Sequence, residues 1–305
     1  MAMLACKRIT ALFLLVFVVL SSQNALAQKV RFMVIGDWGR EGHDFQTLVA
    51  QAMTKQAKAD HSTFVLSTGD NFYEDGVRAV TDSQFQTSFE RVYHDRSLQI
   101  PWYVALGNHD YRTSPEAQIA YSTVSKRWKM PARYYTEEVP VDDTTTALFM
   151  IIDTSPFIEK LQKQDSIYHV LAQPTTFQLA WMDSVLSHSH AKWKFAVGHH
   201  PIFSAAKEAA GTPELIAQVL PVLTKYGVQA YFCGHSHNLQ HLVNGRLTTY
   251  VSGGGSKAEP IKHPGYSLFA VESPGFLSVT LTSTKLTGAF YDWAGKLLDR
   301  SSSTP

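Results

Sequence analysis

Only two of the 305 residues are cysteine, Cys6 and Cys233. Cys6 falls in a segment expected to be removed, so the mature chain has no pair to oxidise and no internal disulfide. Cys233 stands alone in an apolar run and reads as a buried structural thiol rather than a soft metal ligand. An excess of charge is missing too: 27 Lys and Arg against 26 Asp and Glu leave a net charge of +1. That balance gives no reason to expect nucleic acid or an anionic membrane as a partner. The chain has no Asn-x-Ser/Thr sequon, so N-glycosylation is not expected. It has no internal repeat, no low-complexity tract and no obvious linker. Its long apolar run, Ala11–Leu20, is too short to cross a bilayer.

That run sits between Lys7-Arg8 and the small-x-small triplet Ala25-Leu26-Ala27. The pattern reads as a signal peptide over residues 1–27, cleaved after Ala27. The mature chain, 28–305, is expected to be one catalytic domain, soluble, free of membranes, monomeric, and secreted or periplasmic.

Strand-like and helix-like segments alternate. Val30–Ile35, Thr63–Ser67, Trp102–Leu106, Ala147–Ile152, Trp193–Val197 and Ala230–Cys233 are short, apolar and bounded by Gly, Asp or polar residues, which suits buried strands. Phe45–Lys58, Ser83–Tyr93, Phe177–Ser187 and Pro213–Tyr226 carry apolar residues at helical spacing. Ser155–Thr176 has weak periodicity and reads as a loop on the rim of a site. Beyond residue 246 the texture is that of β-hairpins: Leu247–Ser252, Tyr266–Val271, Phe276–Thr282 and Thr287–Trp293, with a turn at Trp293–Lys296. The βαβα order followed by a β-rich end predicts an α/β fold with a second sheet packed on the first.

Five segments that begin with Gly follow apolar runs: Gly36-Asp37-Trp38-Gly39, Gly69-Asp70-Asn71-Phe72-Tyr73, Gly107-Asn108-His109-Asp110, Gly198-His199-His200 and Gly234-His235-Ser236-His237. Ligands of such sheets collect at the carboxyl ends of the strands, where all five would lie. Carboxylate, amide, phenolate and imidazole donors brought together there can hold a metal pair competent to hydrolyse a phosphate ester.

The order of these motifs resembles the metallophosphoesterases and, within them, the purple acid phosphatases of the small tartrate-resistant type. The resemblance extends through His237-Asn238-Leu239-Gln240 and Val251-Ser252-Gly253-Gly254-Gly255. It implies a four-layer α/β/β/α sandwich of two packed mixed sheets. It also implies a ferric ion on Asp37, Asp70, Tyr73 and His237, and a divalent ion (Fe, Zn or Mn) on Asp70, Asn108, His199 and His235, with Asp70 bridging. Many relatives carry a metal-binding His where this chain has Gly39; Tyr73 is the compensation found in the purple branch. The implied activity is that of an acid phosphatase, in which metal-bound hydroxide attacks a phosphomonoester. Asn108 and His109 would meet the substrate, with His109 protonating the leaving group. Asp110 would orient that imidazole or a metal-binding group beside it, and His200 would sit in the pocket wall. The small tartrate-resistant enzymes have a second substrate-facing His nine residues after the fourth-motif ligand; here that place is Glu208, a carboxylate that could act only as a proton donor of raised pKa. His241 could fall near the pocket. Two other readings remain: a phosphodiesterase or nucleotide hydrolase with another metal pair, and a non-catalytic metal- or phosphate-binding protein.

Overall fold

A computed structural model describes residues 29–206, 211–262, 265 and 267–305. The signal segment, Glu208, His263 and Tyr266 lie outside the described residues. In chain order the strands are β1 (Val30–Ile35), β2 (Phe64–Ser67), β3 (Trp102–Val104), β4 (Trp128–Lys129) and β5 (Tyr135–Pro140). There follow β6 (Thr146–Ile151), β7 (Trp193–Val197), β8 (Ala230–Cys233), β9 (Leu239–Asn244) and β10 (Leu247–Ser252). The last are β11 (Phe269–Val271), β12 (Gly275–Leu281), β13 (Leu286–Asp292) and β14 (Leu297–Ser303).

They form two seven-stranded mixed sheets, ordered β14-β13-β12-β1-β2-β3-β4 and β11-β9-β10-β8-β7-β6-β5. Each has a parallel centre, β1 to β4 in the first and β10-β8-β7-β6 in the second, extended by antiparallel strands. Parallel neighbours need crossovers. Helix Gln46–Asp60 joins β1 to β2, helix Thr175–His188 joins β6 to β7, and Pro213–Gln218 with Leu220–Lys225 joins β7 to β8. Helix Gln46–Asp60 buries Gln46, Val49, Ala50, Met53 and Ala57 at spacings of three and four, with Ala52 beside that face, and ends at His61 in the left-handed conformation. The core lies between the sheets. There Phe32 stacks on Phe64 at 4.8 Å and meets the edges of Phe149 and Phe232 at 5.3 and 5.8 Å. The arrangement is the α/β/β/α sandwich.

Three segments differ from their sequence reading. Within Ser83–Tyr93, Phe85–Glu90 winds as a π-helix, with the Arg91 N–H on the Gln86 carbonyl at 3.0 Å. Phe85 and Phe89, four residues apart on one face, both pack against Trp128, at 5.8 and 5.0 Å. Pro213–Tyr226 is two helices rather than one, because Pro221 lacks an N–H and begins a new turn. Ser155–Thr176 is not a plain loop: it holds the helical turns Ser155–Phe157, Glu159–Gln162, Asp165–Tyr168 and Val170–Ala172, each too short to show a period.

Candidate metal centre

Every motif follows a strand of the parallel centres: β1, β2 and β3 of one sheet, β7 and β8 of the other. Asp37, Asp70 and His235 have φ of 61°, 51° and 65°, a left-handed conformation costly for residues with a Cβ. The turns are braced across the sheets. The Asp37 N–H bonds the Gly69 carbonyl at 3.0 Å, and the Gly36 N–H bonds that of Ser252 at 2.8 Å. Each carboxylate is also held by the backbone of another motif: the His235 N–H donates to Asp37 Oδ2 at 2.9 Å, and the His109 N–H to Asp70 Oδ1 at 2.8 Å. This approach needs glycine: a Cβ on Gly107 would lie 2.2 Å from Asp70 Oδ1, and one on Gly234 2.3 Å from Asp37 Oδ2.

Their other oxygens face a cluster of donors. Tyr73 Oη lies 3.1 Å from Asp37 Oδ1, 3.0 Å from Asp70 Oδ2 and 3.1 Å from His237 Nε2. On the other side, His199 Nε2 lies 3.4 Å from the same Asp70 Oδ2 and 3.3 Å from Asn108 Oδ1. His235 Nδ1 is 3.1 Å from Asn108 Oδ1 and 3.2 Å from His199 Nε2. The seven donors thus form two groups of four that share one carboxylate oxygen. His199 Nδ1 donates to the Thr68 carbonyl at 2.9 Å, which leaves Nε2 to face the cluster.

The electrostatics fit a pair of cations. Burial, with the Asp37 and Asp70 carboxylates beside it, pushes the Tyr73 phenol well above its ordinary value. Burial opposes charge on Asp70, but His199 and His109 outweigh it and hold the carboxyl well below the usual range. Burial likewise disfavours a charged His199, yet Asp70 pushes that imidazole up to about 9, while burial and His199 push His235 down to about 3. In the protein alone a proton on His199 offsets the buried carboxylates; a metal ion would take that place and turn the phenol into a phenolate donor.

A cavity of about 210 Å³ opens onto the cluster, lined by Asp70, Asn108, His109, Ala206, His235, Ser236, His237 and Glu259. Two larger cavities, of about 590 and 660 Å³, contain none of the seven donors. His109 Nδ1 sits 2.5 Å from the Glu74 carbonyl; a carbonyl only accepts, so Nδ1 carries the hydrogen and Nε2 is left free, 3.9 Å from Asp70 Oδ2. Asp110 does not line the cavity. It is fully buried, and its carboxylate accepts from the Asn71 and Gly107 N–H groups at 3.0 and 2.8 Å and from Gln118 Nε2 at 2.7 Å. Burial and the neighbouring Asp70 push it up to about 7. His200 lies behind His235 at 4.5 Å, its Nδ1 2.9 Å from Thr154 Oγ1. Burial and the imidazoles of His235 and His199 keep it well below its ordinary pKa, hence neutral. His241 is not near the cluster; it stacks on Tyr250 at 5.0 Å and lines the 660 Å³ cavity. Glu208 lies outside the described residues, so its expected role rests on sequence alone.

Sequence reasoning missed Glu259, whose N–H bonds the His237 carbonyl at 2.6 Å and whose carboxylate is 3.9 Å from His237 Nδ1. It belongs to none of the motifs and had no signal of its own. It also missed a buried relay behind the donors: Trp38 Nε1 donates to Ser67 Oγ at 2.8 Å, and that hydroxyl donates to Asn71 Oδ1 at 2.6 Å.

With this geometry in hand, comparison with known proteins is specific. The calcineurin-like phosphoesterase family model matches residues 30–239. Purple acid phosphatase 7 of Arabidopsis thaliana is 37% identical over 326 residues, covering 99% of this chain and 98% of its own length. Tartrate-resistant acid phosphatase type 5 of Oryctolagus cuniculus is 37% identical over 292 residues, covering 88% and 89%. Among solved structures, GAP50, described as the anchor in the inner membrane complex of Plasmodium, superposes with a TM-score of 0.79 at 23% identity. The match spans 91% of this chain and 89% of that one, and shows the shared fold.

Proposed function

This chain belongs to the calcineurin-like phosphoesterases, in the branch of the purple and tartrate-resistant acid phosphatases, and from that premise we propose that it is a secreted, monomeric phosphomonoesterase that pairs a ferric with a divalent ion. Phosphoester hydrolysis at a two-metal site follows from the family and the donor cluster; the ferric assignment, the choice of monoesters and the export are our reading.

Asp37, Asp70, Tyr73 and His237 would hold the ferric ion, and Asp70, Asn108, His199 and His235 the divalent one. Such a pair, when bound, supplies Lewis acidity to the attacking and departing oxygens and a strong nucleophile at acidic pH. The chain does the rest. Asn108, with Oδ1 turned to the cluster, keeps its NH₂ to donate to a phosphate oxygen. His109 offers Nε2 to the cavity and, when protonated, gives that proton to the departing ester oxygen. His200, neutral and buried, backs His235 and adds no charge to the pocket wall.

The observation that carries this reading is the single oxygen, Asp70 Oδ2, within 3.0 Å of Tyr73 Oη and 3.4 Å of His199 Nε2. Elemental analysis and a visible spectrum of the purified protein, with rates on an aryl phosphate at acidic pH, test it. A violet protein with iron, active on monoesters, is expected. A colourless, active protein holding two zinc or two manganese ions would remove the ferric ion from the proposal. Replacing His109 with Ala should lower kcat by about 10²–10⁴ with metal content unchanged; an unchanged kcat would reject the proton-donor role.

A further inference from the structure

We propose that a chamber beside the metal centre is a leaving-group subsite that takes a flat aromatic ring, an inference that rests on the monoesterase reading above. The 210 Å³ cavity is lined almost wholly by polar donors and acceptors, which suits a phosphate group better than an apolar ring. A second chamber, of about 320 Å³, adjoins it; Asn108 and His235 line both.

The two spaces meet next to the proposed proton donor. The Glu74 carbonyl accepts from His109 Nδ1 at 2.5 Å and from Arg112 Nη1 at 3.2 Å, so His109 and the chamber's Arg112 stand side by side. Asn108 and His235, two members of the donor cluster, form part of the chamber's wall, so a group attached to a phosphate held at the cluster can reach it. The floor is apolar, formed by the buried Ile158, Leu161 and Tyr168 of the segment after β6, while Thr212 and His200 also line the chamber. Arg112 lies 5.9 Å from the Tyr168 ring centre and is already paired with Asp75 at 3.2 Å. Lys160 and Glu214 face the same space with opposite charges. The chamber thus makes no net demand for an ionic group. It offers an apolar slot between a phenol ring and aliphatic side chains, with room for one or two fused rings.

The test compares kcat/KM for phenyl phosphate and 2-naphthyl phosphate, whose leaving groups have nearly equal acidity. The wild-type protein should favour the naphthyl ester by about tenfold, through the extra apolar surface buried. Leu161→Trp, which fills the slot, and Tyr168→Ala, which removes its floor, should each bring the ratio close to unity. Inhibition by inorganic phosphate should stay the same in all three proteins, because phosphate needs only the smaller cavity. Equal kcat/KM values in the wild-type protein, or a preference that survives both substitutions, would overturn the subsite while leaving the monoesterase intact. Turnover of diesters but of neither monoester would overturn the monoesterase reading and the subsite with it.

Discussion

Gly39 has no space for a side chain: a Cβ there would lie 1.8 Å from the Asn71 carbonyl oxygen. No histidine could reach the cluster from that position without moving the second motif. The Gly39 carbonyl instead accepts the Tyr73 N–H at 2.8 Å, and so fixes the residue whose phenol occupies the donor position. The absence at 39 and the presence at 73 are one structural fact. Tyr73→Phe keeps the ring, its contact with His109 at 4.5 Å and the Arg40 guanidinium 3.7 Å over its face, and loses one oxygen. On the ferric reading it should fold normally, lose the visible absorption and hold less iron, as spectroscopy and elemental analysis on the same sample would show. Retained colour would mean that the phenol is not a donor.

At the scale of elements, the third motif is held by the carboxylate of Asp110, which begins a short helical turn and ties Asn71, Gly107 and Gln118 together. Asp110→Ala would strand several buried donors, at about 1–3 kcal/mol each. Asp110→Asn is the milder change; metal affinity should fall about 10–100-fold, while the basic limb of the pH–rate profile, set elsewhere, stays in place. A moved limb would give Asp110 a direct part in proton transfer. The central strands were legible because each is a short apolar run closed by a motif: β1, β7, β8 and β10 have the expected bounds. Edge strand β5 was not, because Tyr135–Pro140 buries Tyr135 but carries Glu137, Glu138 and Pro140, a composition that suits a solvent-facing edge and reads as loop. The convergence of the seven side chains was legible because metal chemistry restricts the residue types it would use and the strand ends restrict their place. Glu259 and the Asn71 relay were not, since their roles depend on contacts between segments distant in sequence.

On the scale of the whole molecule, two buried features link stability to the surroundings. Burial pushes the Asp153 carboxyl up to about 6 from its ordinary 3.8, with Tyr111 and Arg133 restraining the rise; the Tyr111 hydroxyl donates to it. A carboxyl raised in the folded state binds more protons there than in the unfolded chain between those two values. Stability therefore falls as pH rises through about 4 to 6, by about 3 kcal/mol in all. Denaturant titrations across that range should show the slope in the wild-type protein and a flatter one in Asp153→Asn; matching slopes would contradict it. The second feature is the division of the donors. Asp37, Asp70, Tyr73 and Asn108 belong to the first sheet's loops, His199, His235 and His237 to the second's, and each group of four draws on both. Metal removal should lower the melting temperature, since free metal at about a hundredfold over its Kd adds about 2.7 kcal/mol. An unchanged melting temperature would mean that the ions do not bind across the sheets. On the ferric reading, the arrangement also makes a built-in optical gauge. Tyr73 comes from one half of the sandwich and His237 from the other, so the colour develops only when the halves are docked. The fading of that colour during unfolding should report the parting of the two sheets separately from the melting of either one.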